Sequence, residues 1–445
     1  MDNSHHNKQT RVKHPMVKHR VGGWLPKDHR IIERWMDKLL DKVDKDKRTL
    51  KQLHPVIVEF KELIDNDPAL RMGFTQMFDQ VPTKPPYNND PTLKPQIRDY
   101  DTMLKAFDCI ITHSLEYEDN DLVGFPINAI LDWPMGTVAG LHTFTVDKLN
   151  VQFKKMLAVW FEYLSSEDSR YVLTTADNGW FGPKASEAMP DFIDTFECDP
   201  SVPYYGFKSW DDFFTRSFRK DVRPIYCPNN NSIINSACES AVYRISYDVK
   251  ITDKFWLKGE PYSLHDMLYH DEYTPRFVGG TVYQAFLSAL KYHRWASPVN
   301  GTIERVVQIP GTYYAESPAM GFENPEGPDP AAPNLSQGYI TSLAARALIW
   351  IKADNSDIGL MGFLAVGMCE VSTCEVTVNP GDKVKKGDEL GMFHFGGSTH
   401  CLIFRPETKI TFDPQVIPTP DNDADVLLNA PIAWVGDGVP YWDGK

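Results

Sequence analysis

Near its C-terminal end the chain carries Gly396-Gly397-Ser398-Thr399, and these residue types in this order let a backbone cut itself. A serine hydroxyl attacks the carbonyl of the preceding residue most easily when little side chain stands on the N-terminal side, and two glycines supply that opening. The ester that results eliminates to a dehydroalanine, which loses ammonia and becomes a pyruvoyl group. Such a group is an electron sink of the chain's own making. The same tetrapeptide also serves as an ordinary flexible turn, so its surroundings must decide between the two.

Those surroundings are strands and turns. Residues 376–391 read as a strand, a Pro380-Gly381 turn, a short strand, a Lys386-Gly387 turn and a further strand. About a hundred residues upstream stands Tyr292-His293-Arg294-Trp295, followed by Pro298-Val299-Asn300-Gly301. Further back lie Trp210-Asp211-Asp212-Phe213-Phe214-Thr215-Arg216 and Val222-Arg223-Pro224.

Taken in order over residues 205 to 400, these motifs resemble the phosphatidylserine decarboxylase family. Its members are pyruvoyl enzymes with a Gly-Ser-Thr cleavage site, a Tyr-His-Arg motif before a Pro-x-x-Gly turn, and Phe-Phe-x-Arg and Arg-Pro signatures. The helical leader, Ala237-Cys238-Glu239-Ser240 and the wording His394-Phe395-Gly396-Gly397-Ser398 are most similar to the fungal branch that includes L-tryptophan decarboxylase.

The resemblance implies a scissile bond between Gly397 and Ser398, with Ser398 the precursor of the pyruvoyl group. It also implies a long and a short chain that stay together after the cut. It gives His293 the role of the decarboxylation histidine, against the alternative of a histidine hydrogen-bonded within a strand-turn junction. Glu239 stands where the family carries the aspartate of an acid-histidine-serine relay; otherwise it is a surface carboxylate. The family reads Tyr-His-Arg-x-His, and here the second histidine is Ala296. Alanine moves no proton, so maturation is slow or absent, another base substitutes, or the alanine is an engineered change that holds the precursor. If the chain around the cut is extended, His394, Ser398 and His400 share one face by the two-residue period, and His394 or His400 is the substitute base.

The function implied is a carboxy-lyase acting on a free aromatic L-amino acid, tryptophan to tryptamine in type, through a Schiff base. The alternatives are a phosphatidylserine decarboxylase making phosphatidylethanolamine, and an uncleaved, inactive homologue or proenzyme. No lysine stands in a convincing pyridoxal-phosphate context, so that cofactor is not expected.

The elements that must position these residues fall into two textures. Apolar residues at helical spacing run through Trp35, Met36, Leu39, Leu40 and Val43, through Val56, Phe60, Leu63 and Ile64, through Phe74, Met77 and Phe78, and from Val151 to Leu164. After about residue 200, short apolar runs such as 242–246, 303–307 and 348–351 alternate with turn residues. The expected class is α+β. It comprises a basic, disordered tail over 1–30, a helical domain over 31–204 and an antiparallel β-rich catalytic domain over 205–445.

A length of 445 residues suits two or three domains, and a net charge of -14 argues against nucleic acid as a partner. The tail holds seven Lys or Arg against two Asp but no apolar core of a secretory signal. The apolar stretch 359–368 is too short to span a bilayer as a helix. These features lead to an expectation of a cytoplasmic protein with a small-molecule substrate and no integral membrane association. Seven cysteines suggest a reducing compartment, with Cys369 and Cys374 as buried thiols rather than metal ligands. The Pro-rich, acidic segment 321–333 reads as a surface loop, one that could cover the site.

Overall fold

The computed structural model describes residues 30–83, 97–117, 125–253, 262–287, 291–316, 336–371, 373–418 and 425–436. The tail up to residue 29 and the 321–333 loop lie outside the described residues.

Four helices, α1, α2, α3 and α7, form where the apolar spacing places them, others lie between and after them, and several ends carry recognisable signals. They are α1 Arg30–Lys45, α2 Pro55–Asn66, α3 Pro68–Gln80, α4 Tyr100–Ile111, α5 Pro126–Met135, α6 Val138–Phe144 and α7 Asp147–Leu164, followed by the short α8 Pro183–Ala188, α9 Phe192–Thr195 and α10 Trp210–Phe214. Asp67 precedes Pro68 and accepts the backbone N–H groups of Ala69 and Leu70, so α3 begins with its loose donors satisfied. Asp99 does the same for Thr102 in α4. The inward stripes meet ring to ring: Phe60 lies 6.2 Å from Phe74 and 5.1 Å from Phe153, both edge-on.

From Ile233 the chain turns to strands. The largest sheet has eight, in the order β13 Asp425–Val426, β2 Ser240–Tyr247, β3 Thr281–Leu287, β11 Ser398–Phe404, β7 Leu360–Gly367, β6 Arg346–Ala353, β5 Gly301–Ile309 and β9 Lys383–Val384. All of its pairings are antiparallel. Two three-stranded sheets accompany it. One is β4 Arg294–Ala296, β10 Glu389–Phe393 and β8 Cys374–Val376; the other is β1 Ile233–Asn235, β14 Pro431–Val435 and β12 Ile410–Phe412. The turns after Pro380 and Lys386 use Gly381 and Gly387 at φ +95° and +83°, a left-handed backbone that glycine adopts without strain.

The large sheet is covered on both faces. Cys401, Ile403, Leu364 and Trp350 join a core that also holds Phe60, Phe107 and Phe153 from the helices. Their strand neighbours Leu402, Phe404, Phe363 and Ile351 join a second core with Trp295, Phe393 and Ile432 from the small sheets. A strand buried on both sides has no reason to alternate, which is why 359–368 reads as continuous apolar sequence. The fold is α+β, with helices packed on one face of an antiparallel sheet and small sheets on the other.

Candidate active site

Ser398 is the first residue of β11, paired with Leu287 of β3 and Gly367 of β7. It is fully buried, and its hydroxyl has no hydrogen-bond partner among the described residues. A buried hydroxyl without a partner is costly, and such groups mark places where something other than stability is being served.

The bond before it is gripped by backbone. Gly397 donates its N–H to the Cys369 carbonyl at 3.1 Å, and its own carbonyl accepts the Met368 N–H at 2.8 Å. Attack by the serine would place negative charge on that carbonyl oxygen, and a fixed N–H at this distance stabilises it. Gly396 has φ +134°, and a Cβ there would lie 2.4 Å from the Val371 nitrogen and 2.6 Å from the Cys369 oxygen. The turn therefore closes only on glycine.

The gripping segment is itself anchored to the helices. Glu370 takes φ +60° and turns its carboxyl onto the start of α5, where one oxygen accepts the Asn128 N–H at 2.8 Å. Burial pushes this carboxyl up to about 8, against the downward pull of the Asn128 and Ile127 backbone. The Cys369 thiol meets Asn128 Oδ1 at 3.0 Å, and burial raises its pKa well above the thiol range, with Glu370, Glu316 and Asp132 adding to the effect.

The other residues singled out by the sequence occupy distinct settings. His394 precedes the turn, which breaks the two-residue period, so Ser398 and His400 point one way along β11 and His394 is not on that strand. Its Nδ1 lies 3.1 Å from both Asp211 carboxylate oxygens and its Nε2 lies 2.6 Å from Glu375. Burial alone would lower its pKa, but Asp211 and then Glu375 overturn this and raise it above the ordinary imidazole value, and both nitrogens are engaged. His400 lies between Tyr283 and Phe363, at ring distances of 6.0 and 5.9 Å. Burial pulls it down to about 3, so this ring is neutral.

His293 is fully buried and stacks on Phe214 at 3.9 Å, while its carbonyl accepts the Phe393 N–H. Phe214 and Trp210 both touch Phe395 of the turn, at 5.8 and 5.0 Å. The 210–216 motif thus joins the two histidine-bearing segments: Asp211 holds His394, Phe214 holds His293, and Arg294 donates to the Thr215 carbonyl at 2.7 Å.

Glu239 is bound elsewhere. Arg223 of the Arg-Pro motif donates to it twice, at 2.6 and 3.0 Å, and Leu428 N–H adds a third bond at 2.8 Å. Two residues earlier, Ala237 accepts the N–H of Ala296, whose small side chain is buried. The structure brings the acid's segment to the position of the absent histidine but gives the carboxylate to arginine.

Sequence reasoning missed Met368, Glu370 and Asn128, and read Cys369 as a buried thiol without placing it beside Ser398. Met368 acts here through its backbone N–H, which any residue except proline supplies, so no side-chain pattern could have revealed it. All seven cysteines are free thiols, and Cys369 and Cys374 are buried. Among the described residues no helix is long and apolar enough to cross a membrane, and no group of three His, Cys, Asp or Glu is placed to hold a metal.

A family model described as phosphatidylserine decarboxylase matches residues 210–419, and a second one so described matches residues 54–189. The chain is 41% identical over 370 residues to an L-tryptophan decarboxylase of Psilocybe cubensis, covering 79% of this chain and 81% of that protein. It belongs to the phosphatidylserine decarboxylase family. A second fungal member, decarboxylase iboD of Amanita muscaria, is 47% identical over 308 residues, covering 66% of this chain and 87% of that one. A more distant member is phosphatidylserine decarboxylase proenzyme 3 of Schizosaccharomyces pombe, 30% identical over 227 residues, or 51% of this chain and 22% of that one. As a decarboxylase of this family, the chain is an enzyme of the carboxy-lyase class.

Proposed function

We propose that the chain is a pyruvoyl-dependent decarboxylase of a free aromatic L-amino acid, of the tryptophan-to-tryptamine type, matured by its own cleavage between Gly397 and Ser398. The observation that carries this reading is the Met368 N–H on the Gly397 carbonyl, beside a buried serine hydroxyl that has no hydrogen-bond partner among the described residues. The substrate class is supported by the relative named L-tryptophan decarboxylase, which aligns along most of both chains. Cytoplasmic action on a dissolved amino acid belongs to the same proposal.

The residues fit a group made in place. Ser398 Oγ adds to the Gly397 carbonyl carbon while Met368 N–H holds the developing oxyanion, and Gly396 lets the turn close around it. The Gly397–Ser398 carbon-nitrogen bond breaks, and the freed nitrogen takes up a proton equivalent to the one the hydroxyl gave up. Elimination then releases Gly397 as a carboxylate, and water replaces the nitrogen of residue 398 as ammonia. Once formed, the pyruvoyl group supplies an electron sink for the pair left behind by carbon dioxide. We assign His293 to returning a proton to the substrate α carbon. His400 is the substitute base we assign to the cut, since it is neutral and shares the face of Ser398, whereas both nitrogens of His394 are committed. Glu239, held by Arg223, steadies the segment beside position 296.

A second reading has its own support. With Ala296 in the relay position and His400 a weak base, an uncleaved homologue is the competing state of this chain. Intact mass decides between them. The proposal expects a long chain ending at Gly397 and a blocked short chain starting at residue 398 that borohydride labels, both absent in Ser398→Ala. A wild-type protein that stays at 50.7 kDa through prolonged incubation overturns it. Assays with tryptophan and with phosphatidylserine vesicles separate the amino-acid reading from the phospholipid one.

A further inference from the structure

The helical region carries a cleft of its own, away from the cut. It has a volume of about 230 Å³ and is walled by the aromatic rings of Trp180, Phe181, Phe192 and Tyr205. An apolar cavity of ~150 Å³ takes up benzene, so this one has room for a bicyclic ring with a short arm. None of residues 293–296, 367–371 or 394–400 lines it. The rings are fixed in advance. Phe181 stacks on Tyr205 at 3.9 Å and meets Phe192 at 5.7 Å, while Trp180 is backed by Trp210 at 5.8 Å and Phe213 at 5.2 Å. The Arg216 guanidinium, itself buried, stands 5.5 Å over Phe192. Walls already ordered spare a ligand the cost of ordering them.

Two carboxylates complete the lining. Asp191 and Asp194 flank the exposed Ile193 at the mouth, and no Lys, Arg or His among the described residues lines the cleft with them. Asp191 does not use its side chain to cap α9, and Arg219, which reaches the same helix, commits its guanidinium to the Ile193 and Cys198 carbonyls at 2.7 Å each. The lining therefore carries two negative charges and no positive one, on a chain whose net charge is -14. Ring faces attract an ammonium through their quadrupole, apolar walls take up the body that bears it, and a carboxylate accepts its N–H groups. This is the lining of a site for an organic cation.

We propose that this cleft binds a primary aralkylamine, with its aromatic ring against Trp180, Phe181 and Phe192 and its ammonium at Asp191 and Asp194. The inference goes beyond the reading of Ser398 and does not depend on it. An aromatic amino acid brings the same ring but also a carboxylate, which the two aspartates repel, so the cleft takes the amine in preference to its parent acid. That ligand class is the product of the proposed decarboxylation, and the cleft gives a released amine a second seat on the enzyme. Through Trp180 the seat touches Trp210 and Phe213 of α10, the element whose Asp211 and Phe214 meet His394 and His293.

Calorimetric titration of the full-length chain carrying Ser398→Ala, which can form no imine, tests the proposal with tryptamine, tryptophan and the uncharged 3-methylindole. Tryptamine is expected to bind at least about tenfold more tightly than either of the others, as a cation held by aromatic faces and carboxylates implies. Asp191→Asn with Asp194→Asn should bring tryptamine down to the level of 3-methylindole. Ser186→Trp, at another lining position, should weaken tryptamine about tenfold or more by filling the cleft. Thermal melting shows which variants are folded, and because the two act at different residues, loss of one leaves the other as a test. No binding of tryptamine, equal affinity for tryptophan, or binding that either folded variant leaves unchanged overturns the site. Intact mass and turnover of the parent chain are read in parallel. A parent that matures and decarboxylates beside a chain that ignores tryptamine sinks this inference alone, and an uncut parent whose cleft still binds the amine sinks only the maturation chemistry.

Discussion

His394 and His400 are six residues apart and both buried, yet their pKa values are shifted in opposite directions. Two carboxylates engage both nitrogens of the first and raise its pKa, while burial among aromatic rings makes the second a neutral ring that accepts a proton poorly. Their residue type was legible in the sequence, but their availability was not, because Asp211 lies 183 residues from His394. Ala296 shows the converse: its deficiency was legible directly from the missing imidazole. Ala296→His is expected to speed cleavage by roughly 10² to 10⁴, the usual contribution of a positioned base, read as a time course of intact mass. His400→Gln should abolish the residual cleavage of the parent chain and His394→Gln should spare it. A restored-histidine protein that remains whole would refute the maturation scheme.

The five residues of α10 are too few to be stable alone, and tertiary contacts hold them. Ser209 caps the helix at the Asp212 N–H, and Ser169 Oγ takes the Trp210 N–H at 2.8 Å. From that fixed base Trp210, Asp211 and Phe214 reach Phe395, His394 and His293. The motif was visible in the sequence because side chains do its work. The turn at 368–371 was not, because there the backbone does the work and the glycine it demands, Gly396, lies 25 residues away from Val371. Gly396→Ala is expected to abolish cleavage and lower the melting temperature, since its Cβ meets backbone atoms that cannot swing aside. If Gly396→Ala matured at the parent rate, the turn would not need to be held as described. The strands on either side were readable from their alternation with Pro380-Gly381 and Lys386-Gly387. Helices α5 and α6 went unassigned in the sequence because Pro126, Pro134 and the shortness of α6 interrupt the apolar period, whereas α4 carries a regular one, Met103, Leu104, Phe107, Ile110 and Ile111, that the sequence reading passed over.

Across the whole molecule, buried titratable groups set how stability follows pH. Glu370 keeps its proton up to about 8 when folded but loses it near 4.5 when unfolded, so stability falls as pH rises between those values. His400 refuses a proton down to about 3 that the unfolded chain takes near 6.5, so stability falls as pH drops through that window. Between about 4.5 and 6.5 the two opposing slopes, each at most ~1.4 kcal/mol per pH unit, offset one another. His394 contributes fully below its unfolded value of 6.5, and that contribution is lost as pH rises through its raised folded value. Glu370→Gln, which can still accept the Asn128 N–H, should therefore melt higher than the parent at pH 8 and close to it at pH 4.5. Denaturant titrations at pH 4.5, 6.5 and 8 check this, and parallel curves for the two proteins would contradict the assignment of a protonated Glu370.

One consequence follows from where β11 sits. The strand that begins at Ser398 is not at an edge but lies fourth in a row of eight, with β3 on one side and β7 on the other, and β14 farther along is flanked by β1 and β12. Severing the backbone just ahead of β11 would free no peptide. The piece from 398 onward would remain woven into the larger one like a slat in a frame, and the new chain end would stay locked beside the machinery that made it.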